Sequence, residues 1–145
     1  MHDPEQDAAI AAATEAAEWD AAREGLALTF ERIVVAGDAA IASFVVDASR
    51  RMIVGLERAR GAWDALNSTV LGPDHRASRS FRPSEHRTGR WTIIAAGLAP
   101  DGVSKASITL AGDQHVVPVI ERLYLFAVAV DREPELEPLA VSFVE

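Results

Sequence analysis

The chain has no cysteine among its 145 residues, which excludes disulfides, thiolate metal ligands and a cysteine nucleophile together. It lacks any long apolar run. The longest, "LYLFAVAV" from Leu123 to Val130, stops at Asp131-Arg132-Glu133, well short of the roughly eighteen residues that begin to suggest a membrane helix. The first twenty residues, "MHDPEQDAAIAAATEAAEWD", contain neither a basic n-region nor an apolar h-region, so no export signal is read there and the cytoplasm is the expected compartment. There is no G-x-S-x-G elbow, no Gly-rich phosphate loop, no H-E-x-x-H and no dinucleotide fingerprint, so no cofactor is expected.

What is present is charge, unevenly placed. The formal net charge is -8. Residues 1–25 carry seven acids against Arg23, and residues 131–145 carry five acids against Arg132. Residues 75–90, "HRASRSFRPSEHRTGR", reverse the sign with five arginines against Glu85, a local +4 that leaves -12 on the rest. Such a balance repels nucleic acid and anionic lipid overall, so neither is an expected partner.

The elements follow from local chemistry. Asp3-Pro4-Glu5-Gln6 reads as a helix start and Gly25 as its stop, predicting a helix over about 4–24. Its alanine-rich body shows two thin stripes, one of Ala8, Ala12, Ala16, Trp19 and Ala22, the other of Ile10, Ala13, Ala17 and Ala21. From Leu26 the period becomes that of strands: "LALTFERIVVA", "AAIASFVV" and "RMIVGLE" are separated by short turn signals, which describes an antiparallel meander over about 26–67. Strands resume over about 90–145 with "WTIIAAGL", "VSKASITLA", "QHVVPVI", "LYLFAVAV" and "LAVSFV". Pro118 suits an edge strand or a bulge. "LYLFAVAV", apolar on both faces, suits the centre of the structure. The predicted class is mostly β (α+β): one domain, an antiparallel β-sandwich or strongly curved sheet of eight or nine strands with one N-terminal helix laid across it.

Residues 95–128 carry Gly97, Pro100-Asp101-Gly102-Val103 and Val117-Pro118-Val119, a G-x-x-P-D-G-V … V-P-V pattern. It resembles a β-rich module of uncharacterised bacterial proteins. The resemblance implies a β fold and no known chemistry.

The segment 72–90 holds the functional candidates. Gly72, Pro73, Ser78, Ser80, Pro83 and Ser84 are loop formers, and a loop of that length in a compact domain is usually functional or disordered. Arg76, Arg79, Arg82, Arg87 and Arg90 form bidentate forks suited to carboxylates or phosphates, with Phe81 as an apolar wall. His75 follows Asp74 and His86 follows Glu85, an imidazole–carboxylate pairing that serves either a general base or a metal. The spacing matches no known metal site, and five guanidiniums oppose a dication, so no metal is expected. The sequence therefore predicts a small soluble non-catalytic binding protein that meets another protein, itself or an acidic partner, through the 75–90 arginine segment. Two alternatives stand beside it: an immunity or inhibitor-type protein using its acidic ends against a basic enzyme, and a small cone-like α+β enzyme or ligand-binding protein with His75 or His86 as base.

Overall fold

The computed structural model describes residues 4–84, 89–110, 112–131 and 140–144. Among the described residues one helix, α1 (Pro4–Glu24), precedes ten strands: β1 (Thr29–Ala36), β2 (Ala39–Val45), β3 (Arg51–Ala59), β4 (Ala62–Leu71), β5 (Ala77–Pro83), β6 (Trp91–Leu98), β7 (Lys105–Leu110), β8 (Asp113–Pro118), β9 (Leu123–Val130) and β10 (Ala140–Val144). All pairings are antiparallel, in three sheets ordered β1-β2-β3-β4, β5-β6-β9 and β10-β7-β8. The chain is mostly β with one N-terminal helix.

These elements stack in four layers, and strand alternation decides which residue faces which neighbour. On the first sheet, Ala40, Ala42, Phe44, Met52, Val54 and Leu56 face the helix, whereas Ala39, Ile41 and Ile53 face the second sheet. On the second sheet, Ile94, Ala96, Leu123, Leu125 and Ala127 meet the first, while Ile93, Ala95, Tyr124 and Phe126 meet Ala106, Ile108 and Leu110 of the third. Arg32 ties the first two sheets by donating from Nη2 to the Leu123 carbonyl at 2.9 Å.

This arrangement sharpens the reading of "LYLFAVAV". β9 lies at one edge of its sheet, but that sheet is the middle of three, so both faces are buried from Leu123 to Ala127. Pro118 ends β8, an edge strand, where its missing N–H costs no ladder bond on the outer side.

Of the two helix stripes, the second docks. Ala9, Ala13, Ala17 and Ala21 are buried, a row at i, i+4 whose methyl groups let the helix axis approach the sheet closely. Trp19 is 70% exposed. Alanine also supplies the best intrinsic helix propensity, which compensates for the small area each residue buries. The helix stops where Gly25 takes φ 68° and the Leu26 amide donates to the Ala21 carbonyl at 2.9 Å, the six-to-one bond of a Schellman ending.

The β2–β3 connection is held by one side chain. Asp47 accepts hydrogen bonds from the Ser49 amide at 2.9 Å and from Arg50 Nε at 2.7 Å, an Asx-turn closed by an ion pair. The Arg50 and Ser49 bonds hold its carboxyl down at about 2.

The segment 72–90 departs from the expected loop. Residues 77–83 form β5, paired in continuous register with β6 from Ala77↔Gly97 to Pro83↔Trp91. "ASRSFRP" does alternate, with Ala77, Arg79 and Phe81 on one face and Ser78, Ser80 and Arg82 on the other. Its low β-propensity is overridden by the buried neighbour it pairs with. Because β5 lies at a sheet edge, Pro83 and the arginines are tolerated there. His86 and Arg87 lie outside the described residues.

Candidate anion-binding cleft

A tight turn begins the site. The Gly72 amide donates to the His75 carbonyl at 2.8 Å, and the His75 amide returns a bond to Gly72 at 3.2 Å. The chain leaves this turn at Arg76, whose carbonyl accepts the Leu98 amide at 2.8 Å, so the residue is fixed against the end of β6. Three residues on, Arg79 sits opposite Ala95, on the β5 face that looks toward the third sheet.

Between that face and β10 lies a cleft of about 460 Å³, with Arg76 and Arg79 at its rim, Ala95 and Leu98 on its floor, and Tyr124 and Phe143 as aromatic walls. Gly97 makes room for the phenol. A Cβ there would stand 2.5 Å from the Tyr124 hydroxyl and 2.6 Å from two ring carbons, so a side chain at 97 would displace the ring. Tyr124 is buried and its ring centroid is 6.0 Å from that of Phe143. Burial pushes the Tyr124 hydroxyl up, with the Arg79 charge pulling the other way. At neutral pH the phenol is therefore a neutral O–H, able to donate.

Two guanidiniums, one phenolic donor and an apolar floor suit a carboxylate attached to an apolar or aromatic group. The guanidiniums contribute forked N–H donors and charge that ordinary pH does not remove. The apolar walls exclude water from one side and strengthen those bonds.

The other sequence candidates are dispersed. Phe81 shares the Arg79 face but packs into the core between the second and third sheets, so it is a core side chain. Arg82 is exposed, opposite Thr92, on the reverse face of β5. Arg90 stands at the far end of the hairpin, 3.5 Å from Asp38 and 3.6 Å from Asp131. His75 is exposed on its turn and does not line the cleft. His115, on β8, packs its ring on Phe126 with centroids 5.2 Å apart. Among the described residues no group of three or more His, Asp or Glu side chains is arranged to hold a metal ion.

A second cleft opens at the opposite end of the layer stack. Between α1 and β4 a groove of about 660 Å³ has Ala12, Ala16 and Leu66 along it, Trp19 and Trp63 beside it, and Glu15, Glu18, Asp20 and Asp64 around it. Asp20 accepts a hydrogen bond from the Ser68 hydroxyl. Among the described residues no basic side chain lines this groove. A third, smaller hollow at the C-terminal end of α1 is lined by Asp20, Arg23, Glu24, Met52 and Ser68.

Tyr124 and Phe143 were not legible as site residues, since each sits in an apolar strand pattern and only the packing of β9 beside β10 brings them to the arginines. Comparison with protein-family models, curated proteins and solved structures finds no match for this chain.

Proposed function

We propose that the protein acts by binding, and that the basic cleft takes an acidic segment of a protein partner. One observation carries this reading: Arg76 and Arg79 stand with Tyr124 and Phe143 around one cleft, beside an edge strand whose outer side has no strand partner among the described residues. An extended peptide adds to such an edge through main-chain hydrogen bonds, and its alternate side chains enter the neighbouring cleft. Carboxylates on that peptide would meet the two guanidiniums, and an aromatic residue would lie against Phe143.

The test uses the full chain and a fluorescently labelled peptide alternating Glu with Phe, followed by polarisation. Binding is expected to weaken as salt rises, because the rim charges are partly solvated. The double variant Arg76→Ser/Arg79→Ser should lose about tenfold to a hundredfold in affinity, from charged hydrogen bonds worth roughly 1.5–3 kcal/mol. Equal binding by the variant would overturn the reading. A molecular mass that rises with protein concentration in sedimentation, and falls to monomer in the double variant, would make the partner a second copy, since α1 carries Glu5, Asp7, Glu15, Glu18, Asp20 and Glu24.

A second reading has its own observation. Trp19 is held largely in solvent beside the acid-rimmed groove, and an exposed tryptophan flanked by carboxylates suits a cationic side chain through ring-face attraction and charge. This is the surface that would meet a basic enzyme. Peptides alternating Lys with Leu should shift tryptophan emission in the wild type, and Trp19→Ala should weaken their binding by about 2 kcal/mol, the scale of a buried aromatic anchor. The Glu/Phe peptide should be indifferent to Trp19→Ala, and a loss there instead would reject the assignment of the two clefts.

A further inference from the structure

Between the turns of the first sheet and the Ser84–Arg90 end of the β5–β6 hairpin lies a polar hollow of about 270 Å³, lined by residues that include Asp38, Glu57, Arg58, Arg60, Arg90 and Thr92. Glu57 enters it by strand alternation: in β3, Ile53 and Gly55 already face the second sheet, and Glu57 follows two residues on. Thr92 comes from the opposite side, on the β6 face that carries Ile94 and Ala96. Both are buried, Glu57 being 4% exposed and Thr92 2%.

Among the described residues the Glu57 carboxylate has no hydrogen-bond or ion-pair partner, and the Arg58 and Arg90 guanidiniums beside it pair with other acids. Arg58 donates from Nε and Nη2 to Asp38 at 3.1 and 2.9 Å, pairs also with Glu5, and lies over the Trp63 ring. Arg90 bridges Asp38 and Asp131. A carboxylate inside a hollow that the protein leaves without a donor is open to N–H donors from elsewhere. Such a group asks for a ligand that brings positive charge and N–H donors.

The hollow sets the ligand's size and its second feature. At about 30 Å³ of liquid volume per water it holds roughly nine waters, enough for a molecule of a few carbons and small beside ordinary ligand pockets. Arg60, exposed on the β3–β4 turn at φ 54°, stands at the rim with no ion pair among the described residues. A ligand with an ammonium at one end and a carboxylate at the other matches both. We propose that this hollow binds a small zwitterion of the amino-acid class, its ammonium on Glu57 and its carboxylate toward Arg60. The site is separate from the arginine cleft and stands or falls independently of it.

Calorimetry on the full chain with glycine, 4-aminobutyrate and 5-aminopentanoate, and with butylammonium and butyrate as single-charge halves, tests this. At least one zwitterion is expected to bind saturably, butylammonium more weakly, and butyrate not at all. Glu57→Gln, which keeps shape and removes charge, should cost about tenfold or more in affinity for the zwitterion and for butylammonium alike. Arg60→Asn, chosen because asparagine accepts the left-handed backbone of that turn, should erase only the preference for the zwitterion over butylammonium. Absence of binding by every probe up to about 10 mM, a Kd corresponding to less than about 3 kcal/mol, would overturn the proposal and leave a hydrated gap. Equal binding by wild type and Glu57→Gln would overturn it as well.

Discussion

Leu125→Ala is expected to lower the unfolding free energy by about 2–5 kcal/mol, the cost of a buried leucine whose cavity the surroundings fill only in part. The residue is 2% exposed and sits on β9 in the core shared by the first two sheets, with Ile41, Ile53, Leu71 and Ile94 among its company. Packed sheets on both sides of β9 leave little room to collapse. Val116→Ala supplies the contrast, because Val116 is 58% exposed on the β8 edge and should change stability by no more than about 0.5 kcal/mol. Urea denaturation reads both, and an unchanged slope for Leu125→Ala confirms that the loss lies in stability and not in the extent of unfolding. If the two variants cost the same, β9 does not occupy the middle layer.

Gly55→Ala should cost about 1–3 kcal/mol, an unusual penalty for adding one methyl group to a strand. An added Cβ would stand 2.4 Å from Ile94 Cδ1 and 2.7 Å from Asn67 Oδ1. Asn67 is half-buried and can turn aside. Ile94 is packed between the sheets and cannot move without disturbing its neighbours. A register shift in the β3–β4 pairing follows Gly55 directly, so the glycine stands beside a bulge, where the Ile94 side chain of the second sheet comes up against the β3 backbone. The partner change is Ile94→Val, which removes the clashing Cδ1 and alone costs about 0.5–1.5 kcal/mol. Combined, the two should cost less than their sum by roughly 0.5–3 kcal/mol. Strict additivity in a double-mutant cycle would show that Gly55 and Ile94 are not in contact.

Particular residues show where a reading of the chain succeeds. The helix bounds at Pro4 and Gly25 and the short turns of the β1–β4 meander rest on interactions within a few residues, which the sequence carries directly. β5 is not legible because "ASRSFRP" contains the residues of a loop, and its strand state depends on β6, with which it pairs from Ala77↔Gly97 to Pro83↔Trp91. The five arginines of 75–90 read as one patch along the sequence. Strand alternation sends Arg79 and Arg82 to opposite faces, and the length of the hairpin puts Arg90 at the other end from Arg76.

By itself the sequence determined the class of the fold, the single helix and its ends, the edge position open to Pro118, and the concentration of positive charge in one stretch of an acidic chain. Each of those depends on backbone preference, on a period of 2 or 3.6, or on composition, all of them local. Only the tertiary structure decided that three sheets and a helix stack in four layers, that Tyr124 and Phe143 stand beside Arg76 and Arg79, and that Glu57 is buried facing Thr92. Those are contacts between residues far apart in the chain, set by which faces the layers bury against each other, and no local preference encodes them.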